Sequence, residues 1–204
     1  MDRKKYLLFF SIISVCLGFL FFNSVKTFIV QKWAVRANQS WVFHEGDYKV
    51  GTDLSSGTYD IAVIEGEVEI FGMNLFAEDQ LVGLNLDLNN VLQINGTGEV
   101  KLNLSNPQKM QSYSDKYTLT SGGWYNIGSQ LTVGLYEICY TSNDENSTAP
   151  FLQVMSSDRG TVHTSMDIQK KIQTVELKNN KWLYLFLTKQ SDTEDIEVTL
   201  TRVN

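Results

Sequence analysis

Cysteine, histidine and proline are all scarce in this chain of 204 residues, and each shortage excludes a class of protein. The two cysteines, Cys16 and Cys139, cannot build a disulfide-stapled scaffold, and two histidines cannot build a histidine-rich metal centre. With only two prolines and no regular glycine period, the chain is not collagen-like. The length, in contrast, permits one ordinary domain or two small ones, and the 43% hydrophobic content is near the globular norm.

The sequence also lacks the short motifs by which many enzymes are recognised. It contains no Gly-x-Ser-x-Gly, no His-Glu-x-x-His and no phosphate-binding Gly-x-x-x-x-Gly-Lys pattern. His163, Ser165 and Asp167 are the residue types of a hydrolytic triad, but alternate residues of a strand stand about 6.6 Å apart, beyond hydrogen-bond reach. We interpret them as a solvated strand face. The opposite, buried face is then formed by Val162, Met166 and Ile168.

Two acidic runs, residues 143–146 and 192–195, lie on predicted loops. Their carboxylate and amide oxygens are the ligand type that calcium prefers, but neither run has the spacing of an EF-hand loop. We interpret both runs as solvated loops. The sequence therefore predicts no catalytic residue, no cofactor and no metal site.

The first 36 residues differ in character from the rest. Three basic residues, Arg3, Lys4 and Lys5, precede an uncharged apolar run at residues 6–22. A helix rises about 1.5 Å per residue, so this run, continued through Val25, approaches the roughly 30 Å thickness of a hydrocarbon core. We predict an uncleaved transmembrane helix within a membrane anchor and juxtamembrane segment at residues 1–36. A cleaved secretory signal and lipidation at Cys16 are the alternatives.

Charge is distributed unevenly along the chain. Residues 1–36 contain six Lys and Arg against one Asp, whereas residues 37–204 contain eleven against twenty-two Asp and Glu. The basic cluster at the start favours a cytoplasmic N-terminus, and hence a single-pass protein of the cell membrane with an extracytoplasmic body. Because nucleic acid repels an acidic body, we predict no nucleic-acid partner.

Two stretches of the body repeat one spacing of glycine and aromatic residues. The set Tyr48, Gly51, Leu54, Gly57, Tyr59 and Ile61 recurs 77 positions later as Tyr125, Gly128, Leu131, Gly134, Tyr136 and Ile138. A second stretch, around Asn89, recurs 90 positions later around Asn179. The glycines permit bends with φ > 0, and the tyrosine and isoleucine then alternate onto one strand face. We predict two tandem β repeats, residues 37–110 and 111–204.

Apolar and polar residues alternate at residues 64–70, 84–88, 100–104 and 196–200. Such alternation is typical of antiparallel strands with one wet face, and it places the three glutamates of residues 64–70 in a ladder on one strand. Residues 182–187 are apolar at every position and predict a fully buried central strand. The predicted fold is all-β, with two tandem antiparallel β-sandwich or jelly-roll-like repeats following an N-terminal transmembrane helix.

The first copy of the glycine–aromatic motif reads Tyr-x-Val-Gly-x-Asp-Leu-x-x-Gly-x-Tyr over residues 48–59. It resembles the Tyr-x-Val-Gly-x-Asp-Ile-Pro-x-Gly-x-Tyr signature of small β modules on Gram-positive bacterial surface lipoproteins and membrane-anchored proteins. Ser55 and Thr132 stand where that signature has proline. The resemblance covers 12 residues in each copy and implies an exported, anchored module without catalytic residues.

Four aromatic residues form the candidate ligand platform. Trp124, Tyr125, Trp182 and Tyr184 are of the type on which sugar rings stack, although core and interface roles are the alternative. Our leading hypothesis is a membrane-anchored extracytoplasmic binding or structural module that presents a sheet face or loop edge to a protein partner. Cell-wall glycan binding is the alternative, and a carboxylate-dependent hydrolase using acids from both repeats is the third hypothesis.

Overall fold

The computed structural model describes residues 40–113 and 115–203, and these residues form strands and loops without any helix. The prediction of an all-β body is confirmed. The predicted membrane anchor, residues 1–36, lies outside the described residues. Within the described ranges, no helix is long and apolar enough to cross a membrane.

Sixteen strands follow one another along the described chain. In order they are β1 Ser40–Phe43, β2 Gly46–Lys49, β3 Gly57–Glu65, β4 Glu67–Ile70, β5 Met73–Phe76, β6 Gln80–Leu86, β7 Val91–Gly96, β8 Glu99–Leu104, β9 Lys116–Leu119, β10 Gly122–Ile127, β11 Gly134–Ser142, β12 Phe151–Met155, β13 Val162–Asp167, β14 Gln173–Leu177, β15 Lys181–Phe186 and β16 Ile196–Arg202. We call β1–β8 the first half and β9–β16 the second half.

The strands form three sheets. One has eight strands in the order β1-β8-β3-β6-β10-β15-β12-β13, and the other two have the orders β14-β11-β16-β9 and β2-β7-β4-β5. Adding eight to each strand number converts β1-β8-β3-β6 into β9-β16-β11-β14, and β2-β7-β4-β5 into β10-β15-β12-β13. Both halves therefore have the same strand order, and the large sheet joins one sheet of each half.

Each half has its own hydrophobic core. One cluster of buried side chains runs from Phe43 to Leu102 and the other from Tyr117 to Leu200. The clusters follow from period-two alternation, since the inward residues of β3 and β11 are buried and the residues between them are partly or fully exposed. Burial of each aliphatic side chain stabilises the fold by about 1.5–3 kcal/mol relative to exposure.

The two copies of the glycine–aromatic motif have the same local geometry. Gly51 and Gly128 adopt φ values of 97° and 112°, in the region that favours glycine. Their N–H groups donate to the carbonyls of Leu54 and Leu131, each at 2.7 Å. A side chain at Gly51 would also meet the Leu88 side chain at 2.5 Å. The later glycines of the motif, Gly57 and Gly134, begin β3 and β11.

The motif tyrosines are buried at the start of those strands. The Tyr59 hydroxyl donates to the Ser55 carbonyl at 2.7 Å, and the Tyr136 hydroxyl donates to the Thr132 carbonyl at 3.0 Å. Both rings are fully buried, so each hydroxyl satisfies a turn carbonyl that water cannot reach freely. The tyrosine thereby ties the turn to the strand that follows it.

Some details of the predicted strand pattern are wrong. Residues 64–70 are not one strand, because β3 ends at Glu65 and β4 begins at Glu67 in a different sheet. Gly66 between them has a φ of 75°, and a Cβ there would lie 2.8 Å from the Cα of Gly98. The three glutamates therefore form no ladder on a single strand. Leu88 lies in the turn before β7 and is 63% exposed, because the strand has already ended.

The strand predicted from residues 182–187 is central but buried on one face only. β15 lies between β10 and β12, as expected for a central strand. Leu183 and Leu185 are fully buried, whereas Trp182, Tyr184 and the next alternate residue are partly exposed. The apolar residues on the second face therefore belong to a surface.

The two halves meet where β6 pairs with β10. Among the described strands, these two pair in parallel. Gly123 lies opposite Val82, and a Cβ on Gly123 would lie 2.1 Å from the Val82 carbonyl oxygen. A Cβ on Gly83 would lie 2.2 Å from the Trp124 carbonyl oxygen. Glycine is therefore required on both strands for the backbones to approach so closely. An ion pair between Asp79 and Lys189, both largely buried, also joins the halves.

Candidate functional site

A cleft of about 440 Å³ lies beside the junction of β6 and β10. Both halves line this aromatic cleft, with Phe71, Met73, Leu81, Leu84, Asn85, Leu86, Asp87, Asn90 and Val91 from the first half and Trp124, Asp158, Arg159 and Tyr184 from the second. Its walls are mostly apolar, with a few amide and charged groups. That composition is typical of small-molecule sites in proteins.

Two of the four predicted platform residues, Trp124 and Tyr184, line this cleft, and a third lies beside them on the same sheet face. Trp124 on β10 lies directly opposite Tyr184 on β15, and their ring centroids are 4.6 Å apart at an interplanar angle of 33°. Trp182 lies two residues before Tyr184 and therefore on the same face. All three side chains are partly exposed.

Tyr125 does not belong to the platform, and that part of the prediction is wrong. Because side chains alternate along β10, Tyr125 points to the core while Trp124 points to the cleft. Its hydroxyl donates to the Ser121 carbonyl at 2.6 Å. Burial, with a smaller contribution from Asp60, raises the pKa of Tyr125 far above the usual value of tyrosine.

The loop between β12 and β13 covers the indole rings. The guanidinium carbon of Arg159 lies 4.7 Å from the ring centroid of Trp124 and 4.0 Å from that of Trp182. The Trp182 indole N–H donates to the Ser157 carbonyl at 3.2 Å, which ties the loop to β15. Arg159 also reaches the first half, since its Nη2 donates to the Gly83 carbonyl at 3.4 Å. The indole rings are therefore covered by a cation and are not a bare platform.

The positive charge of Arg159 is only slightly offset by nearby anions. Burial lowers its pKa from the ordinary value, and the charge of Asp87 raises it. Among the described residues, no carboxylate oxygen lies within 4.0 Å of its guanidinium nitrogens. Within the described ranges its guanidinium donates to the Gly83 carbonyl and forms no ion pair with a carboxylate.

The carboxylates of the cleft differ in their surroundings. Asp158 accepts hydrogen bonds from the Ser156 hydroxyl and from the Gly160 N–H, and these bonds hold its pKa below the usual value. Asp87 accepts one from the Asn85 side-chain amide at 3.0 Å. One cation, two carboxylates and two amides, Asn85 and Asn90, therefore supply both donors and acceptors at the edge of an apolar cleft.

The residues of the cleft that sequence reasoning missed include Phe71, Asp87 and Arg159. Phe71 stands before Gly72 in the turn between β4 and β5, where an Asn-Gly pair would be ordinary. A phenylalanine directly before glycine is unusual in such a turn, and the sequence alone could have indicated this residue for that reason. Asp87 and Arg159 carry no such signal. The alternation at residues 84–88 places Asp87 on a wet strand face, and Arg159 lies in a polar stretch typical of a surface loop.

The triad-like residues His163, Ser165 and Asp167 are exposed on β13, and within the described ranges no hydrogen bond joins them. Their interpretation as a solvated face is consistent with this exposure. Val162, however, is 45% exposed, so its assignment to the buried face is wrong. The cause is a register shift between β12 and β13 at Met155, which disturbs the alternation there.

The acidic loops lie next to each other beside a second, polar cleft of about 720 Å³. The Asn143 side-chain amide donates to the Thr193 carbonyl at 2.8 Å, and its oxygen accepts the Asp195 N–H at 2.9 Å. The side-chain amide of Asn143 therefore links the two acidic loops through hydrogen bonds. In the part of the chain described by the structure, no group of three or more His, Cys, Asp or Glu side chains could hold a metal ion.

Comparison of the sequence with models of known protein families found no match, and comparison with curated proteins found none either.

Proposed function

We propose that the body of this protein consists of two tandem jelly-roll-like repeats. The identical strand order of the two halves supports this proposal, as does the shared geometry of the turn at Gly51 and the turn at Gly128. Eight strands arranged in two four-stranded sheets are typical of a jelly roll. We further propose that residues 1–36 anchor the body to the cell membrane and leave it extracytoplasmic, as the apolar run and the basic start predict.

The function that the aromatic cleft supports best is binding of a cell-wall glycan. The observation that carries this proposal is the convergence of Phe71, Trp124 and Tyr184 on one cleft with Asn85 and Asp87 at its edge. Aromatic rings pack against the C–H faces of sugars, and amides and carboxylates bond the hydroxyls around the ring. The volume falls within the range of about 300–1,000 Å³ that is usual for ligand pockets.

Sedimentation with insoluble peptidoglycan tests this function. We expect the full-length protein in mild detergent to sediment with the polymer. Trp124→Ala should weaken retention about tenfold, because the cleft loses an aromatic wall and the ring against which Tyr184 and Arg159 pack. Tyr113→Ala is the matched control, since Tyr113 is 87% exposed and lies outside the cleft. Circular dichroism verifies that each variant is folded. Failure of the wild-type protein to sediment would discard glycan binding and return a protein partner as the leading hypothesis.

A second candidate function, glycoside hydrolysis, is favoured by one observation: carboxylates from both halves, Asp87 and Asp158, line the same cleft. Such hydrolysis needs one acid that keeps its proton near neutral pH. The hydrogen bonds from Ser156 and Gly160 hold the pKa of Asp158 below its usual value, which disfavours Asp158 as that acid. Release of reducing ends from peptidoglycan by the wild-type protein, and its loss in Asp87→Asn, would favour hydrolysis over binding.

A further inference from the structure

Backbone strain is concentrated at the edge of the aromatic cleft. Six described residues other than glycine have a left-handed φ, namely Phe71, Glu78, Asn89, Asp115, Arg159 and Asn180. Asparagine and aspartate tolerate this conformation, and three of the six are of that type. Of the remaining three, Phe71 and Arg159 both line the aromatic cleft.

Phe71 occupies a turn position that suits its side chain poorly. It forms the two-residue turn between β4 and β5 together with Gly72, with φ values of 52° and 77°. Ile70 and Met73 pair across the turn, as in a tight hairpin. Two left-handed residues in such a turn favour Asn-Gly, Asp-Gly or Gly-Gly. A bulky aromatic residue in this conformation is a genuine outlier.

Burial in the core does not compensate for this strain, because the Phe71 side chain is 51% exposed. The same chain has asparagine at the left-handed positions 89 and 180. Folding stability alone would thus favour asparagine at position 71 as well. Strain that stability does not explain is common at sites of ligand contact.

Arg159 stands at the corresponding place in the second half. It lies between β12 and β13, which take the same places in the strand order as β4 and β5. Its φ is 60°, and its guanidinium lies over two indole rings. Each of the two matching hairpins therefore contributes to one cleft a residue whose backbone is left-handed.

We infer that Phe71 and Arg159 are ligand-contacting residues, with Phe71 packing on the face of a sugar ring and Arg159 donating to oxygen acceptors on the same sugar chain. This inference rests on the proposed glycan-binding function and deepens it. The ligand that fits both residues is an oligosaccharide with an apolar ring face and an acceptor group such as an N-acetyl carbonyl or a carboxylate.

The substitution Phe71→Asn tests the inference because its two effects have opposite signs. We expect the melting temperature of the full-length protein to rise by roughly 2–4 °C, since the turn strain is relieved. We also expect sedimentation with insoluble peptidoglycan to weaken about tenfold, since the aromatic contact is lost. A residue with only a structural role would not give stronger folding together with weaker binding.

Glu78→Asn is the matched control, because Glu78 has a φ of 75°, is exposed and lies outside the aromatic cleft. It should raise the melting temperature and leave sedimentation unchanged. If the wild-type protein sediments and Phe71→Asn sediments equally well, the inference is overturned while glycan binding stands. If the wild-type protein does not sediment, glycan binding and this inference both fall. A lower melting temperature in Phe71→Asn would overturn the argument from strain.

Discussion

Single hydroxyl groups organise the turns that begin β3 and β11. Tyr59 and Tyr136 each donate to the carbonyl of the residue four positions earlier, and each hydroxyl also lies within hydrogen-bond distance of the side chain there, Ser55 or Thr132. A Tyr117 hydroxyl joins the second of these groups through Thr132. A buried tyrosine hydroxyl of this kind stabilises the fold because its hydrogen-bond partners are all present.

Replacing one motif tyrosine by phenylalanine should therefore destabilise the protein. We expect Tyr59→Phe to lower the free energy of unfolding by about 1–3 kcal/mol, because the Ser55 carbonyl loses its donor. Urea denaturation measures the change. Tyr48→Phe is the control: its hydroxyl donates to the His44 carbonyl at an exposed position, so a change below about 0.5 kcal/mol is expected. Equal losses in the two variants would contradict the role of burial.

At the scale of elements, β6 and β10 show how two halves can share one sheet. Their pairing is parallel and involves only Gly122 with Leu81 and Gly123 with Val82. Gly83, which lies on β6, belongs to a bulge in the pairing of β6 with β3. Its N–H donates to the Asp60 carboxylate at 2.8 Å. The short pairing is possible because glycine on each strand removes a Cβ from the path of the other backbone.

A methyl group at this junction should separate the strands. We expect Gly123→Ala to lower the free energy of unfolding by about 2–4 kcal/mol, since its Cβ would meet the Val82 backbone and its φ is 121°. Gly72→Ala is the control for left-handed φ alone, because its Cβ would meet nothing within 4 Å. That variant should lose only about 1 kcal/mol. Urea denaturation followed by tryptophan fluorescence compares them, and equal losses would contradict the steric argument.

The molecule as a whole shields several tyrosines wholly or partly from water. Burial is the largest cause of the raised pKa values of Tyr125, Tyr136 and Tyr184, all of which lie in the second half. A group whose pKa is higher in the folded than in the unfolded state contributes stability below the unfolded value, about 10 for tyrosine. That contribution is lost as pH rises through the folded pKa.

The melting temperature should accordingly fall as pH rises above about 10, because the unfolded chain ionises its tyrosines first. Absorbance of tyrosinate measured across the same range should show that these three tyrosines ionise at higher pH in the folded than in the unfolded protein. Tyr125→Phe should reduce the alkaline loss, since one of the raised groups is then absent. A melting temperature independent of pH between about 9 and 11 would contradict this account.

The class of fold and the shape of its turns follow from local sequence patterns alone. Period-two alternation predicts strands because neighbouring side chains point to opposite faces, and that rule depends on local geometry alone. The glycine and tyrosine of the repeated motif likewise specify a bend and a hydrogen bond within twelve residues, as Gly51 and Tyr59 illustrate. The same rule shows why the prediction for Tyr125 was wrong: Tyr125 follows Trp124 on β10, and two adjacent strand residues cannot share a face.

In contrast, the strand edges that meet and the groups that cover each exposed face are known only once the chain is folded. No local pattern relates Val82 to Gly123 or Arg159 to two indole rings, because these contacts depend on packing between distant segments. The aromatic cleft exists because the junction of β6 and β10 brings Phe71 and Tyr184 to one place. Alternation sets the face of each side chain, whereas the neighbour that it faces is set by the long-range packing of the two halves.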